Sequence, residues 1–275
     1  MIPVAFDYVR AESTAEALAA LAEHGDEAKL LAGGHSLLPM MKLRLAYPSV
    51  LVDIGRLSDL SYVRDAGDHL AIGALTTHRT VETHPLILEH APLLARATSQ
   101  VGDPQVRHRG TLGGSLVHAD AAADNPSVLL AMAGSVVVAG ADGERVIDGA
   151  DLFAGFLESS LDPTEMVTEV RIPKHTGEGW SFQKFNRRAQ DWAIVGASAQ
   201  RIGADTRVSL ISMHPTPVRA SAVEAALASG ASAADAAELA AEGVEPSSDL
   251  NASIEFRQHL ARVLVRRALT EAGIA

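Results

Sequence analysis

Two glycine doublets hold the residues of this chain best suited to chemistry. The first interrupts an apolar run, Leu30-Leu31-Ala32-Gly33-Gly34-His35-Ser36-Leu37-Leu38, and the second lies in Gly110-Thr111-Leu112-Gly113-Gly114-Ser115. Glycine removes the Cβ and lets consecutive amides converge on an oxyanion, while Ser36, Thr111 and Ser115 offer hydroxyl donors. Neither doublet has the G-x-G-x-x-G spacing, and no Gly-Lys-Ser/Thr completes a P-loop. Taken singly, each suits an ordinary tight turn as well as a phosphate nest. Two such loops, with Asp124 ten residues beyond Gly114 to accept from a ribose hydroxyl, are more than a hairpin needs. They point to an extended dinucleotide lying across two lobes.

Other constellations carry less. None of the 11 histidines completes an H-x-x-x-H or H-E-x-x-H pattern, so no metal site is expected, and His35 and His118 read as polar packing or cofactor contacts. No Ser-His-Asp arrangement stands out, and no residue is assigned as catalytic. Arg187, Arg188 and Asp191 form a charged cluster suited to structural support. The absence of cysteine removes thiolate nucleophiles, cysteinyl flavin links and the usual iron-sulfur ligands, so iron-sulfur chemistry would sit on another polypeptide.

The elements that must hold the loops follow from local signals. Ser13-Thr14-Ala15-Glu16 reads as a capping box for a helix through Leu21, stopped at Gly25. Short strands are expected at 29–32 and 50–54, on either side of the first glycine loop. Strands at 70–73, 135–139 and 166–172 and helix starts near Thr76, Pro85 and Pro92 make a second unit. A linker at 175–179 leads to strands at 181–185, 193–201 and 206–213, read as a three-stranded antiparallel sheet. Alanine-rich helices follow, and a final helix presents Ile254, Phe256, Leu260, Val263, Leu264 and Leu269 to that sheet while Arg257, Arg262 and Arg266 stay wet. The expected units are 1–55, 56–175 and 176–275.

With 275 residues, 47% of them hydrophobic, the chain can bury a substantial core. A formal charge of -11 argues against a general nucleic-acid surface, and the aromatic residues are too scattered for base stacking. The N-terminus lacks a signal pattern and no stretch approaches a membrane span, so a cytoplasmic protein without direct membrane insertion is expected.

Five stretches taken in order are specific: AGGHSLLPMMKLR, IGALTTH, TLGGSLVHADAAADNP, KFNRRAQDWAIV and SIEFRQHLARVLVRRAL. Together they make nearly the whole chain resemble the FAD-binding medium subunit of the molybdenum hydroxylases, the carbon monoxide dehydrogenase and xanthine dehydrogenase family. The resemblance implies an α+β protein: a two-lobed PCMH/vanillyl-alcohol-oxidase-type FAD-binding domain, then a carbon monoxide dehydrogenase flavoprotein C-terminal domain. It places the FAD diphosphate on Lys29, Leu30, Leu31, Ala32, Gly33, Gly34, His35 and Ser36 and on Thr111, Gly113, Gly114 and Ser115, mostly through backbone amides. It sets Ile72, Gly73 and Ala74 near the flavin ring and Val101 along the cofactor site. Asp124 falls near the adenosine end, Val167 contributes backbone at the flavin region, and Lys184 lies near the isoalloxazine.

The same resemblance implies electron transfer rather than substrate chemistry on this chain. Molybdopterin would sit on a large subunit and two [2Fe-2S] clusters on a small one, assembled as a dimer of heterotrimers, with an external electron acceptor. Ser115 stands where many relatives have Asn, and Ala121 replaces a frequent Pro. Two alternatives differ in class. A stand-alone vanillyl-alcohol-oxidase-type enzyme would need a substrate cavity and no partners, and a non-enzymatic scaffold with a degenerate nucleotide fold would bind no flavin.

Overall fold

The computed structural model describes residues 2–274. The N-terminal unit consists of β1 (Asp7–Arg10), α1 (Thr14–His24), β2 (Ala28–Leu31), α2 (Leu37–Lys42) and β3 (Val50–Asp53), with its three strands parallel in the order β1-β3-β2. The Ser13 side chain accepts from the Glu16 amide at 3.2 Å, as a cap should. Glu16, however, reaches back to the amide of Glu12 rather than that of Ser13. Ala17 and Leu21 pack on Val50, Val52 and Ile54, so the first glycine loop leaves β2 from a buried floor.

The second unit is a five-stranded antiparallel sheet with helices on one side. Its strands are β4 (Val63–Asp65), β5 (His69–Gly73), β6 (Ser135–Gly140), β7 (Gly143–Asp148) and β10 (Met166–Pro173), ordered β4-β5-β10-β6-β7. A small hairpin, β8 (Phe153–Gly155) and β9 (Glu158–Ser159), lies outside it. Between β5 and β6 run α3 (His78–Thr83), α4 (Pro85–His90), α5 (Pro92–Thr98), α6 (Pro104–Arg109), α7 (Leu112–Val117) and α8 (Asp124–Ala131). Proline opens α4, α5 and α6, where its missing N–H costs nothing. Leu93, Leu94, Leu112, Leu116 and Leu129 seal these helices onto Ile72, Val136, Val138 and Val170.

The third unit holds β11 (Trp180–Phe185), β12 (Val195–Ile202), β13 (Asp205–Ile211) and β14 (Val218–Arg219), followed by α9 (Ser221–Ala228), α10 (Ala233–Glu238) and α11 (Ile254–Glu271). Its antiparallel sheet has four strands where the sequence suggests three. The fourth is two residues long, too short for any alternating pattern to reveal. One face of the sheet, with Ala197, Ala199, Val208 and Leu210, packs on α11. The other, with Phe182 and Ile211, joins the core of the second unit against α5 and α8, and there Ser209 donates to the Ser127 carbonyl at 2.7 Å.

The packing of α11 departs from expectation. Arg257 is buried, donating to the Ile194 carbonyl and pairing with Asp249 at 2.8 Å, whereas Ile254 and Phe256 stay partly exposed. The inward stripe is Arg257, Leu260, Ala261, Leu264, Val265, Ala268 and Leu269. Phe256 instead meets Phe185 edge to face, ring centroids 6.2 Å apart. The linker at 175–179 is pinned, because the buried His175 ring engages Glu178 at 2.9 Å and the Met132 carbonyl at 3.0 Å. Among the described residues no helix is long and apolar enough to cross a membrane.

Candidate functional site

The first glycine loop turns from β2 into α2 with Gly34 at φ 73°, a conformation that favours glycine. The amides of Gly33, Gly34, His35 and Ser36 find no acceptor among the described residues, and His35 and Ser36 are exposed. The His35 ring folds back so that Nδ1 donates to the Gly33 carbonyl at 2.9 Å, bracing the turn from outside. Lys29, Leu30 and Leu31 are strand residues paired with Leu51, Val52 and Asp53, so they position the loop.

The second glycine segment is built differently. The amides of Leu112 and Gly113 donate to the carbonyls of Thr76 (3.0 Å) and Ala74 (2.9 Å), and that of Ser115 donates to Thr111. The Gly114 amide is capped by the Thr111 hydroxyl at 3.3 Å, long enough for a better acceptor to compete. Most amides here are therefore committed within the fold, contrary to the expectation of a second amide nest. Glycine serves close packing instead: a Cβ at Gly113 would come within 2.7 Å of the Ala74 side chain.

The two segments touch. A Cβ on Gly33 would run into the carbonyl of Arg109, just before Gly110, so the absence of a side chain at Gly33 allows the loops to meet backbone to backbone. Ile72, Gly73 and Ala74 run beneath them, and the Ala74 amide donates to the Thr168 carbonyl at 2.9 Å, bringing the neighbourhood of Val167 to the same place.

Asp124 opens α8 and Lys184 comes from β11, yet Lys184 Nζ lies 2.8 Å from Asp124 Oδ2 and 3.2 Å from the carbonyl of Gln100, next to Val101. Both side chains are almost withdrawn from water, 3% and 5% exposed. The other carboxylate oxygen, Oδ1, is buried without a partner among the described residues. Burial pushes the Asp124 carboxyl up to about 6 against the pull of the Lys184 ammonium, and Asp120 adds to the rise.

This contact corrects one implied assignment. Two groups 2.8 Å apart cannot serve opposite ends of an extended dinucleotide, so the implied placements of Asp124 at the adenosine end and Lys184 at the isoalloxazine do not both hold. Three groups that sequence reading left aside complete the surroundings: His78, Asn125 and Thr98, all buried. His78 closes the IGALTTH stretch and Asn125 falls in the DNP that ends TLGGSLVHADAAADNP, while Thr98 lies in no quoted stretch. No group of three metal-ligating side chains occurs among the described residues.

Comparison with known proteins agrees with this geometry. Residues 4–175 match the family described as FAD binding domain in molybdopterin dehydrogenase, and residues 180–272 match the CO dehydrogenase flavoprotein C-terminal domain. The chain belongs to the FAD-binding subunits of the molybdenum hydroxylase family. It is 37% identical to the carbon monoxide dehydrogenase medium chain of Hydrogenophaga pseudoflava, covering 99% of this chain and 98% of that one. It is 38% identical to the 6-hydroxypseudooxynicotine dehydrogenase complex subunit alpha of Paenarthrobacter nicotinovorans, with 99% and 96% covered. The solved carbon monoxide dehydrogenase from H. pseudoflava that lacks the Mo-pyranopterin moiety superposes with a TM-score of 0.95 at 38% identity, each chain 99% covered.

Proposed function

We propose that this chain carries FAD as the electron-transfer subunit of a molybdenum-containing hydroxylase, receiving electrons from [2Fe-2S] clusters on a small partner subunit and delivering them to an external acceptor. The observations that carry the cofactor reading are the unpartnered, buried Oδ1 of Asp124 and the four unengaged amides of Gly33 to Ser36. The buried carboxylate oxygen calls for a donor, and the row of solvent-facing amides offers a seat for an oxyanion.

Each residue then has a task in holding the group. The amides of residues 33–36, with the Ser36 hydroxyl, receive the diphosphate. Thr111 and Ser115 contribute hydroxyls beside Gly114, whose missing side chain leaves the approach open. Asp124 Oδ1 accepts from a hydroxyl donor while Lys184 keeps the carboxylate in place. Ile72 to Ala74, Val101 and Val167 wall the flavin end, and Lys29 to Ala32 deliver the loop. Bound FAD supplies exchange of electrons singly with clusters and in pairs with an acceptor.

A large molybdopterin subunit and a small iron-sulfur subunit complete the assembly, as a dimer of heterotrimers. The relatives named above are described by different substrates, carbon monoxide and 6-hydroxypseudooxynicotine, which supports placing substrate choice on another chain. Similarity over almost the whole length to subunits of such enzymes weighs against a stand-alone oxidase. The test is expression with its neighbouring subunits, then flavin, iron and molybdenum analysis of the purified complex. One FAD per chain and rapid flavin reduction through the partners are expected; a folded chain that holds no flavin alone or in complex would defeat the proposal.

A further inference from the structure

Between the meeting point of the glycine loops and the Asp124 carboxylate runs a buried polar relay that the cofactor contacts above do not use. His78 is 4% exposed. Its amide donates to the Gly110 carbonyl at 2.9 Å, and its ring lies so close under Gly110 that a Cβ there would come within 2.7 Å of Cδ2. On its other side, Asn125 Nδ2 lies 3.4 Å from His78 Nδ1, and Asn125 Oδ1 accepts from the Thr98 hydroxyl at 2.9 Å. Asn125 follows Asp124 directly at the start of α8.

The hydrogen-bond roles are fixed by chemistry. Thr98 donates to Asn125 Oδ1, so the amide NH2 is left to donate and His78 Nδ1 must accept. The ring is then the neutral Nε2–H tautomer. Burial, with the Arg107 guanidinium and His35 nearby, lowers its protonation to about pH 4, in keeping with that role. Arg107 is itself paired with Glu82 at 2.7 Å, so the titratable groups acting on His78 are Arg107, offset by Glu82, and His35.

We infer that His78 is a positioning residue for the cofactor site: pressed under Gly110 and tied through Asn125, it fixes the second glycine segment relative to Asp124. The inference rests on the FAD reading. The Gly110 end sets where the two loops join, the Asn125 end sets the start of α8, and a diphosphate and a hydroxyl on one molecule can be gripped together only if that spacing is held. The ring touches neither group directly and acts through its neighbours.

The test titrates FAD into the full-length apo chain for wild type, His78→Phe, His78→Gln and Thr98→Val, with thermal melts in parallel. His78→Phe keeps a ring of similar size but removes the acceptor, and is expected to weaken FAD binding about tenfold, the effect of one lost buried hydrogen bond. His78→Gln retains an acceptor and should bind within about twofold of wild type, a rescue that general core damage would not show. Thr98→Val, nearly isosteric, frees Asn125 to turn and should weaken binding about threefold or more. Wild type that binds no FAD would defeat the functional reading itself. Wild type that binds, with His78→Phe folded and equally tight, would overturn the positioning role; should His78→Phe fail to fold, undiminished binding by Thr98→Val would overturn it instead.

Discussion

Lys184 and Asp124, sixty positions apart, meet at 2.8 Å with their charges almost out of water, and they do so across the seam between the second and third units. The pair fastens the C-terminal sheet to the first residue of α8 and leaves the other carboxylate oxygen buried without a partner among the described residues. Removing one partner from such a pair strands the other charge, which typically costs about 3–5 kcal/mol. Lys184→Met should lower the unfolding free energy of the apo chain by about that amount. Adding Asp124→Leu should restore most of it without restoring FAD binding. Urea denaturation checks both, and an undestabilised Lys184→Met would refute the pairing.

The same change has an electronic consequence in the FAD-bound chain. Losing the ammonium while Asp124 stays ionised makes the flavin's surroundings more negative, which disfavours added electrons. Spectroelectrochemical titration well above the Asp124 titration range should give a lower potential for Lys184→Ala than for wild type. An unchanged potential would remove the electrostatic role.

Gly33 is where the two glycine segments touch, so Gly33→Ala must push them apart against the Arg109 carbonyl. Reduced FAD occupancy is expected, together with a loss of stability of about 1–3 kcal/mol from overpacking. Flavin released per chain and a thermal melt give both readouts, and native occupancy would contradict the joined-loop geometry.

His78 makes a pH prediction whose sign is fixed. Its protonation midpoint is near 6.5 in the unfolded chain and about 4 in the folded one, so the unfolded state binds more protons between those values. Stability from His78 is therefore fully present above about pH 6.5 and is lost as pH falls toward 4. The apo wild type should lose stability relative to His78→Gln over that window and show a constant difference above it. Asp124, raised to about 6, acts oppositely in both proteins and cancels from the comparison.

Arg257 is buried with two of its nitrogens engaged, while its partner Asp249 is partly exposed. Arg257→Ala should destabilise the chain by about 1–3 kcal/mol, mainly through the Ile194 carbonyl left without a donor. A change within about 0.5 kcal/mol, the range of ordinary surface substitutions, would show that α11 does not need it.

What the sequence made legible was local. The glycine doublets, the Ser13 cap and the prolines opening α4 and α5 each depend on neighbouring residues, and each appears where expected. The inward face of α11 was readable too, since 257, 260, 261, 264, 265 and 268 follow helical spacing; treating arginine as wet by type hid it. The contact of Lys184 with Asp124, the relay from Gly110 through His78 to Asn125, and the two-residue β14 were not legible. They depend on tertiary approach between distant segments, which leaves no period in the chain. The same holds for the second glycine segment: its spacing suggests free amides, but only the fold reveals that Thr76 and Ala74 have taken them.

The most direct measurement is a crystal structure of the FAD-bound chain. Diphosphate oxygens should lie within about 2.7–3.2 Å of amides in the 33–36 loop, with Asp124 Oδ1 accepting from a cofactor hydroxyl at similar range. A diphosphate lying away from that loop, or an Asp124 Oδ1 still without a partner, would contradict the account.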